Sequence, residues 1–174
     1  MNVLCGKVQR TGGKLFISDK EAEIHEFKKM IGFVPQEDVM HRELSVKEVL
    51  LHSARIRLPQ SFSAAEIEDF VDLLMRVLNL SHVQDSPIGD ETKRGVSGGQ
   101  RKRVNIGMEL AALPVCLFLD EPTSGLDSTS ALEVCESMQK LSGLGMTLVS
   151  VIHQPRMEIF EKFDDILMVC GYIV

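Results

Sequence analysis

Apolar residues along this chain recur with two different periods. Three short runs, Ile31 to Val34, Val115 to Leu119 and Met146 to Ile152, are dominated by apolar residues without alternation, the pattern of strands covered on both faces of a sheet. A further strand is expected near Lys14 to Ser18. Elsewhere the spacing is helical. Ile67, Phe70, Val71, Leu74, Val77 and Leu78 mark one face of a helix, and Glu68, Asp69 and Asp72 lie on the other. That acidic outer face suits a core-packed helix, since one lying on lipid would be basic. Ser45-Val46-Lys47-Glu48 and Ser63-Ala64-Ala65-Glu66 have the form of capping boxes, the first opening a helix to about Arg55 and the second the acidic-faced one. Another helical pattern passes through Val104, Ile106, Met108, Leu110 and Ala111. The last long helix begins at Asp127, its N-cap, runs to about Leu141 and closes at Gly143 and Gly145, where a positive φ is easily adopted. From Val115 onward the order strand, helix, strand, helix, strand implies right-handed crossovers and a parallel sheet. The expectation is an α/β fold: one domain over residues 1–174, with a helical subdomain at about 43–112 inserted in the α/β core.

Composition narrows the classes. A chain of 174 residues, 44% of them hydrophobic, can bury one real core. The net charge of −6 argues against a nucleic-acid partner, because phosphate backbones call for excess Lys and Arg. Cys5, Cys116, Cys135 and Cys170 are scattered, with neither zinc-site spacing nor a disulfide framework, and read as buried thiols in a reducing compartment. No apolar stretch approaches the ~18 residues that cross a bilayer, and no secretory signal is visible at the start.

Candidate chemistry concentrates where strands end. Asp120 and Glu121 come directly after the run at Val115 to Leu119, which places two carboxylates at the strand's carboxyl end, the edge at which open α/β sheets bind ligands. An aspartate there can hold magnesium, and a glutamate beside it can orient and deprotonate water. Taken in isolation the pair could equally cap the next helix. Ser97, Gly98 and Gly99 stand at a helix amino terminus, where free N–H groups and the macrodipole favour a phosphate; the plain alternative is a turn with a solvated basic face, Arg101 to Arg103. His153 lies just past the run at Met146 to Ile152 and could donate to a phosphate oxygen at the same edge, although a lone histidine there is more often structural. Gln36, after the run at Ile31 to Val34, offers a neutral oxygen for a metal, or is an ordinary loop residue.

Taken together and in this order, PQED, VSGGQRKR, LFLDEPTSGLD and VIHQPR resemble the Q-loop, signature motif, Walker B with D-loop, and switch histidine of an ATP-binding cassette. The RKRV run, the GFVPQEDVMHRELSVKEVL stretch and the HQPR segment are most similar to the G subfamily of ABC transporters. The resemblance covers essentially the whole chain. It implies a partial P-loop NTPase (RecA-like) parallel sheet with an α-helical signature subdomain, and ATP and Mg2+ as cofactors. It further implies Glu121 as base, Asp120 and Gln36 on magnesium, and His153 on the γ-phosphate. By the same resemblance a second nucleotide-binding domain is a dimer partner and receives Ser97, Gly98, Gly99 and Gln100 in trans, with Ser124 and Asp127 of the D-loop on the dimer seam. A transporter's transmembrane domain is the other implied partner, which would hold the chain at the cytosolic face of a membrane.

One family element is missing. The phosphate loop G-x-x-x-x-G-K-[ST] does not occur. Gly6-Lys7 is followed by Val8 and has Met1 where the first glycine belongs; Gly13-Lys14 is followed by Leu15 and has Val8 there. The chain is therefore expected to be a truncated cassette beginning just past that loop, with little ATPase activity by itself. Two alternatives stay open: a non-catalytic subunit lending its signature to a complete partner, and a soluble cassette ATPase outside transport.

Overall fold

A short, continuously apolar strand buries its side chains best in the middle of a sheet, and the run that carries the acidic pair lies there. In the computed structural model, which describes residues 3–9, 11–17, 19–89 and 95–168, β3 (Ile31–Val34), β4 (Cys116–Asp120) and β5 (Thr147–Val151) form a parallel sheet in the order β3-β4-β5. β4 is the middle strand, with Leu117, Phe118 and Leu119 buried. In the parallel register Val34 lies opposite Leu119, and Asp120 opposite Val151. All three strands thus end at one level, and residues 36, 121 and 153 leave the same edge.

Helices cover the sheet. α1 (Val46–Arg57) and α2 (Ala64–Val77) open with the capping boxes expected at Ser45 and Ser63, each serine hydroxyl accepting from the backbone N–H three residues on while Glu48 or Glu66 reaches back. α3 (Gly98–Leu110) packs on both, and α4 (Ser128–Gly143) connects β4 to β5. Their common core includes Val34, Leu50, Val71, Met75, Leu78, Ile106, Leu117, Leu119 and Val134, all essentially without solvent exposure. Gly107 sits at a close contact between helices: a Cβ there would lie 2.8 Å from Leu50 and 3.0 Å from Leu78.

Several local expectations need correction. The strand near Lys14 to Ser18 is only β1 (Phe16–Ile17), in an antiparallel hairpin with β2 (Lys20–Glu21); Ser18 lies outside the described residues. Ile24–Met30 forms a 3-10 helix that the apolar pattern did not announce. α4 includes Gly143, and of the two closing glycines only Gly145 has a positive φ, at +92°. After β5 the chain makes only α5 (Met157–Phe160), and residues up to 168 contain no strand; residues 169–174, Cys170 among them, lie outside the described residues. Cys5 and Cys135 are buried and Cys116 is half-buried, and burial pushes the Cys135 thiol up to about 11. Among the described residues no helix is long and apolar enough to cross a membrane.

Candidate functional site

Three residues from three strand ends meet at the sheet edge. Gln36 Nε2 donates to Glu121 Oε2 at 2.9 Å and more distantly to Ser124 Oγ at 3.5 Å. His153 Nε2 lies 2.8 Å from Glu121 Oε1. An ionised carboxylate only accepts, so His153 must carry its proton on Nε2, and both carboxylate oxygens are occupied by donors from flanking strands. Glu121 also has a left-handed backbone, φ 46°, and its N–H donates to Val151 O at 3.1 Å. For a residue with a Cβ such a conformation costs of order 1 kcal/mol or more and persists only where its surroundings hold it. Gln154, next to His153, is likewise left-handed at φ 45°. Neither strained position was signalled in the sequence, since both are ordinary side chains where glycine would be expected.

Asp120 ends β4 with its main chain paired to Val151. Among the described residues no hydrogen bond or ion pair engages its carboxylate. The side-chain oxygen of Gln36 is equally unengaged, because the side chain bonds through Nε2. A half-buried carboxylate without a partner and a neutral oxygen are hard donors, the chemistry magnesium takes. Among the described residues no group of three or more His, Cys, Asp or Glu could hold a metal.

The signature residues are organised separately. Ser97 Oγ accepts from Gln100 N at 3.2 Å and Gln100 Oε1 accepts from Ser97 N at 2.8 Å, a third capping box. Two of the amides at this helix end are thus satisfied internally, and the N–H groups of Gly98 and Gly99 remain for an anion. Gly99 is buried against α4, where a Cβ would come 2.8 Å from that of Ser130, and a Cβ on Gly98 would meet Leu126 at 3.1 Å. Among the described residues no hydrogen bond or ion pair joins Ser97 to Gln100 with Gln36, Glu121 or His153. Asp127 caps α4, accepting from Thr129 N and Ser130 N, each at 3.0 Å; bonding to Ser130 N–H and its hydroxyl holds this carboxyl below its ordinary value.

The basic run after the signature is where sequence reasoning missed most. Its plain alternative, a solvated face over Arg101 to Arg103, does not occur. Lys102 and Arg103 are buried, at 3% and 2% exposure. Arg103 Nη1 donates to Leu78 O at 3.1 Å and Asn79 O at 3.3 Å, Nε to Gly99 O at 3.3 Å, and Nη2 pairs with Glu133 at 2.8 Å. Burial lowers its affinity for the proton and Glu133 offsets part of this. The carbonyls at the end of α2 are thereby capped from α3. The available signal was periodic: position 103 falls on the same helix face as Ile106 and Leu110.

A parallel sheet whose middle strand ends in an acidic pair is the arrangement of P-loop-type nucleotide-binding domains. The family model for the ABC transporter matches residues 1–124. The chain is 45% identical over 168 residues to an ABC-type transporter of Penicillium crustosum, covering 97% of this chain and 23% of that protein. It is 44% identical over 156 residues to ABC transporter G family member 28 of Arabidopsis thaliana, covering 90% of this chain and 14% of that protein. The fold is similar to that of cbiO1 from Clostridium perfringens, part of an ABC transporter complex, with a TM-score of 0.74 and 25% identity over 88% of this chain and 61% of that one. The chain belongs to the ABC transporter family, as an ATP-binding cassette domain of the kind found in its G subfamily. It spans about a quarter or less of the length of these two relatives.

Proposed function

We propose that this cassette hydrolyses ATP to drive transport in a larger assembly, with Glu121 as the general base at the sheet edge. The observation that carries the reading is the meeting of Gln36, Glu121 and His153 beside the unengaged carboxylate of Asp120. Asp120 and Gln36 would hold Mg2+, which supplies charge neutralisation on the phosphates. Glu121 orients and takes a proton from the attacking water once Gln36 and His153 release it, and His153 turns its Nε2–H to the γ-phosphate. Both contacts are exposed side-chain bonds that a bound triphosphate can replace at little cost. Ser97, the N–H groups of Gly98 and Gly99, and Gln100 face a nucleotide held by a second cassette, which explains why they make no contact with Glu121 here. Ser124 and Asp127 lie on that seam, and the helical subdomain at about 43–112 moves with the signature. A transmembrane partner places the cassette at the cytosolic face of a membrane.

The 174 residues contain no G-x-x-x-x-G-K-[ST], and losing such a preorganised phosphate cradle costs several kcal/mol of transition-state stabilisation. By themselves they should bind ATP weakly with negligible turnover. An extended chain carrying a strand and such a loop ahead of Met1 should gain turnover that Glu121→Gln abolishes while ATP binding persists. Turnover in the extended chain that is indifferent to Glu121→Gln sinks the assignment.

A further inference from the structure

Lys102 occupies a place unlike that of any ordinary surface lysine. Its side chain is 4% exposed, one turn inside α3, and its Nζ meets Gln36 O at 2.7 Å, Asp38 Oδ1 at 2.7 Å and Pro35 O at 3.4 Å. An ammonium group has three protons to donate, and these oxygens take all three. One turn further along the same face, Asn105 Nδ2 donates to Asp38 Oδ1 at 3.1 Å. A buried ammonium is costly unless it is paired and hydrogen-bonded, so a hydrophobic residue would serve a purely packing role better. What the charge grips is the main chain of the segment just beyond β3. Gln36 is held by its main-chain carbonyl from α3 while its side chain reaches Glu121 at 2.9 Å.

We propose that Lys102 is a positioning residue: it holds Gln36 in reach of Glu121 and ties the loop after β3 to the helix that bears Ser97 to Gln100. A change at the metal-facing end of Gln36 is then passed through one ammonium group to the signature end of α3, and the reverse. The inference rests on the proposed roles of Gln36 and Glu121. Convergence of three oxygens on one point suits an ammonium and not the planar fork of arginine, so Lys102→Arg restores the charge without restoring the geometry.

The test is a spectroscopic cycle on the chain, read at the side-chain amide resonance of Gln36, which is identified by its loss in Gln36→Ala. In the wild type, Glu121→Gln replaces a charged acceptor by a neutral one and displaces that resonance. In Lys102→Met the same Glu121→Gln change should no longer displace it, because Gln36 has left the carboxylate. Lys102→Gln, neutral but still able to donate to one carbonyl, carries the same test if the methionine variant does not fold. A merely structural lysine would lower the melting temperature and leave the displacement intact. An equal displacement in both backgrounds, or none in the wild type, overturns the proposal. In a chain competent for turnover, Lys102→Met should lower kcat about tenfold to a hundredfold at little change in KM for ATP, the scale of an ångström-level misplacement. Should Glu121→Gln leave turnover unchanged there, the catalytic reading fails, and the resonance cycle still decides the role of Lys102 independently.

Discussion

At the sheet edge, Gln36, Glu121 and His153 hold one another through side chains that reach solvent, His153 being 73% exposed, whereas α3 is fixed from behind by Lys102 and Arg103, whose side chains are 4% and 2% exposed. Exposed polar pairs contribute little, of order 0–1 kcal/mol each, and let go readily when a ligand competes. Buried charges are different: removing one leaves carbonyls and carboxylates without a partner in a medium that penalises them. The residues proposed to meet substrate are therefore loosely held, and the helix that begins at Gly98 is not. A domain that must exchange contacts with a nucleotide while keeping two distant segments in register requires that division.

The contrast can be broken from its rigid side first. Arg103→Leu removes the donor to Leu78 O, Asn79 O and Gly99 O at once, and should lower stability by about 2–4 kcal/mol in urea titration, more than any other single change in this series. Glu133, being 43% exposed, can be rehydrated, which keeps the loss from being larger. Gly107→Val forces a branched side chain against Leu50 and Leu78 and should cost about 1–3 kcal/mol by the same measurement. Ser63→Ala, which deletes one helix cap well away from either site, should cost about 1 kcal/mol. At the loose side, Glu121→Gln should change stability by less than about 1 kcal/mol, since its partners remain hydrated.

The smallest effect is pH-dependent. Glu48, Glu66 and Asp127 accept backbone N–H bonds at helix starts, from Ser45, Ser63 and Ser130 in turn, and each is held below its ordinary value of 4.5, 4.5 and 3.8. A depressed carboxylate contributes stability that is fully present above its unfolded value and is lost as pH falls through the lower folded one. Stability should therefore decline below about pH 4.5, and the combined variant Glu48→Gln, Glu66→Gln, Asp127→Asn should show a flatter acid limb in the same titrations.

Much of the fold was legible from the chain. The three central strands were visible because each is a short apolar run, and β3 falls at Ile31–Val34 as its apolar pattern indicated. The capping boxes at Ser45 and Ser63 were legible because they are local: the same four residues hold both the cap and its reciprocal bond. The meeting of Gln36, Glu121 and His153 came from strand ends alone, given a parallel register. The illegible features depend on partners far apart in sequence. Lys102 and Arg103 carried no more in the sequence than the plain alternative of a solvated face, because most of their acceptors are remote: Pro35, Gln36 and Asp38 for Lys102, and Leu78, Asn79 and Glu133 for Arg103. The left-handed backbone of Glu121 goes with a bond from its N–H to Val151 O on the neighbouring strand, and composition carries no trace of it.

The central claim is that the sheet edge formed by residues 36, 120, 121 and 153 receives the magnesium and terminal phosphate of ATP. Its most direct measurement is paramagnetic relaxation by Mn2+ with a non-hydrolysable ATP analogue, read at the side-chain amide of Gln36 and the ring of His153 in the extended chain. Selective broadening of both, abolished by Asp120→Asn, is the expected result; broadening that spares them, or that survives Asp120→Asn undiminished, would contradict the account.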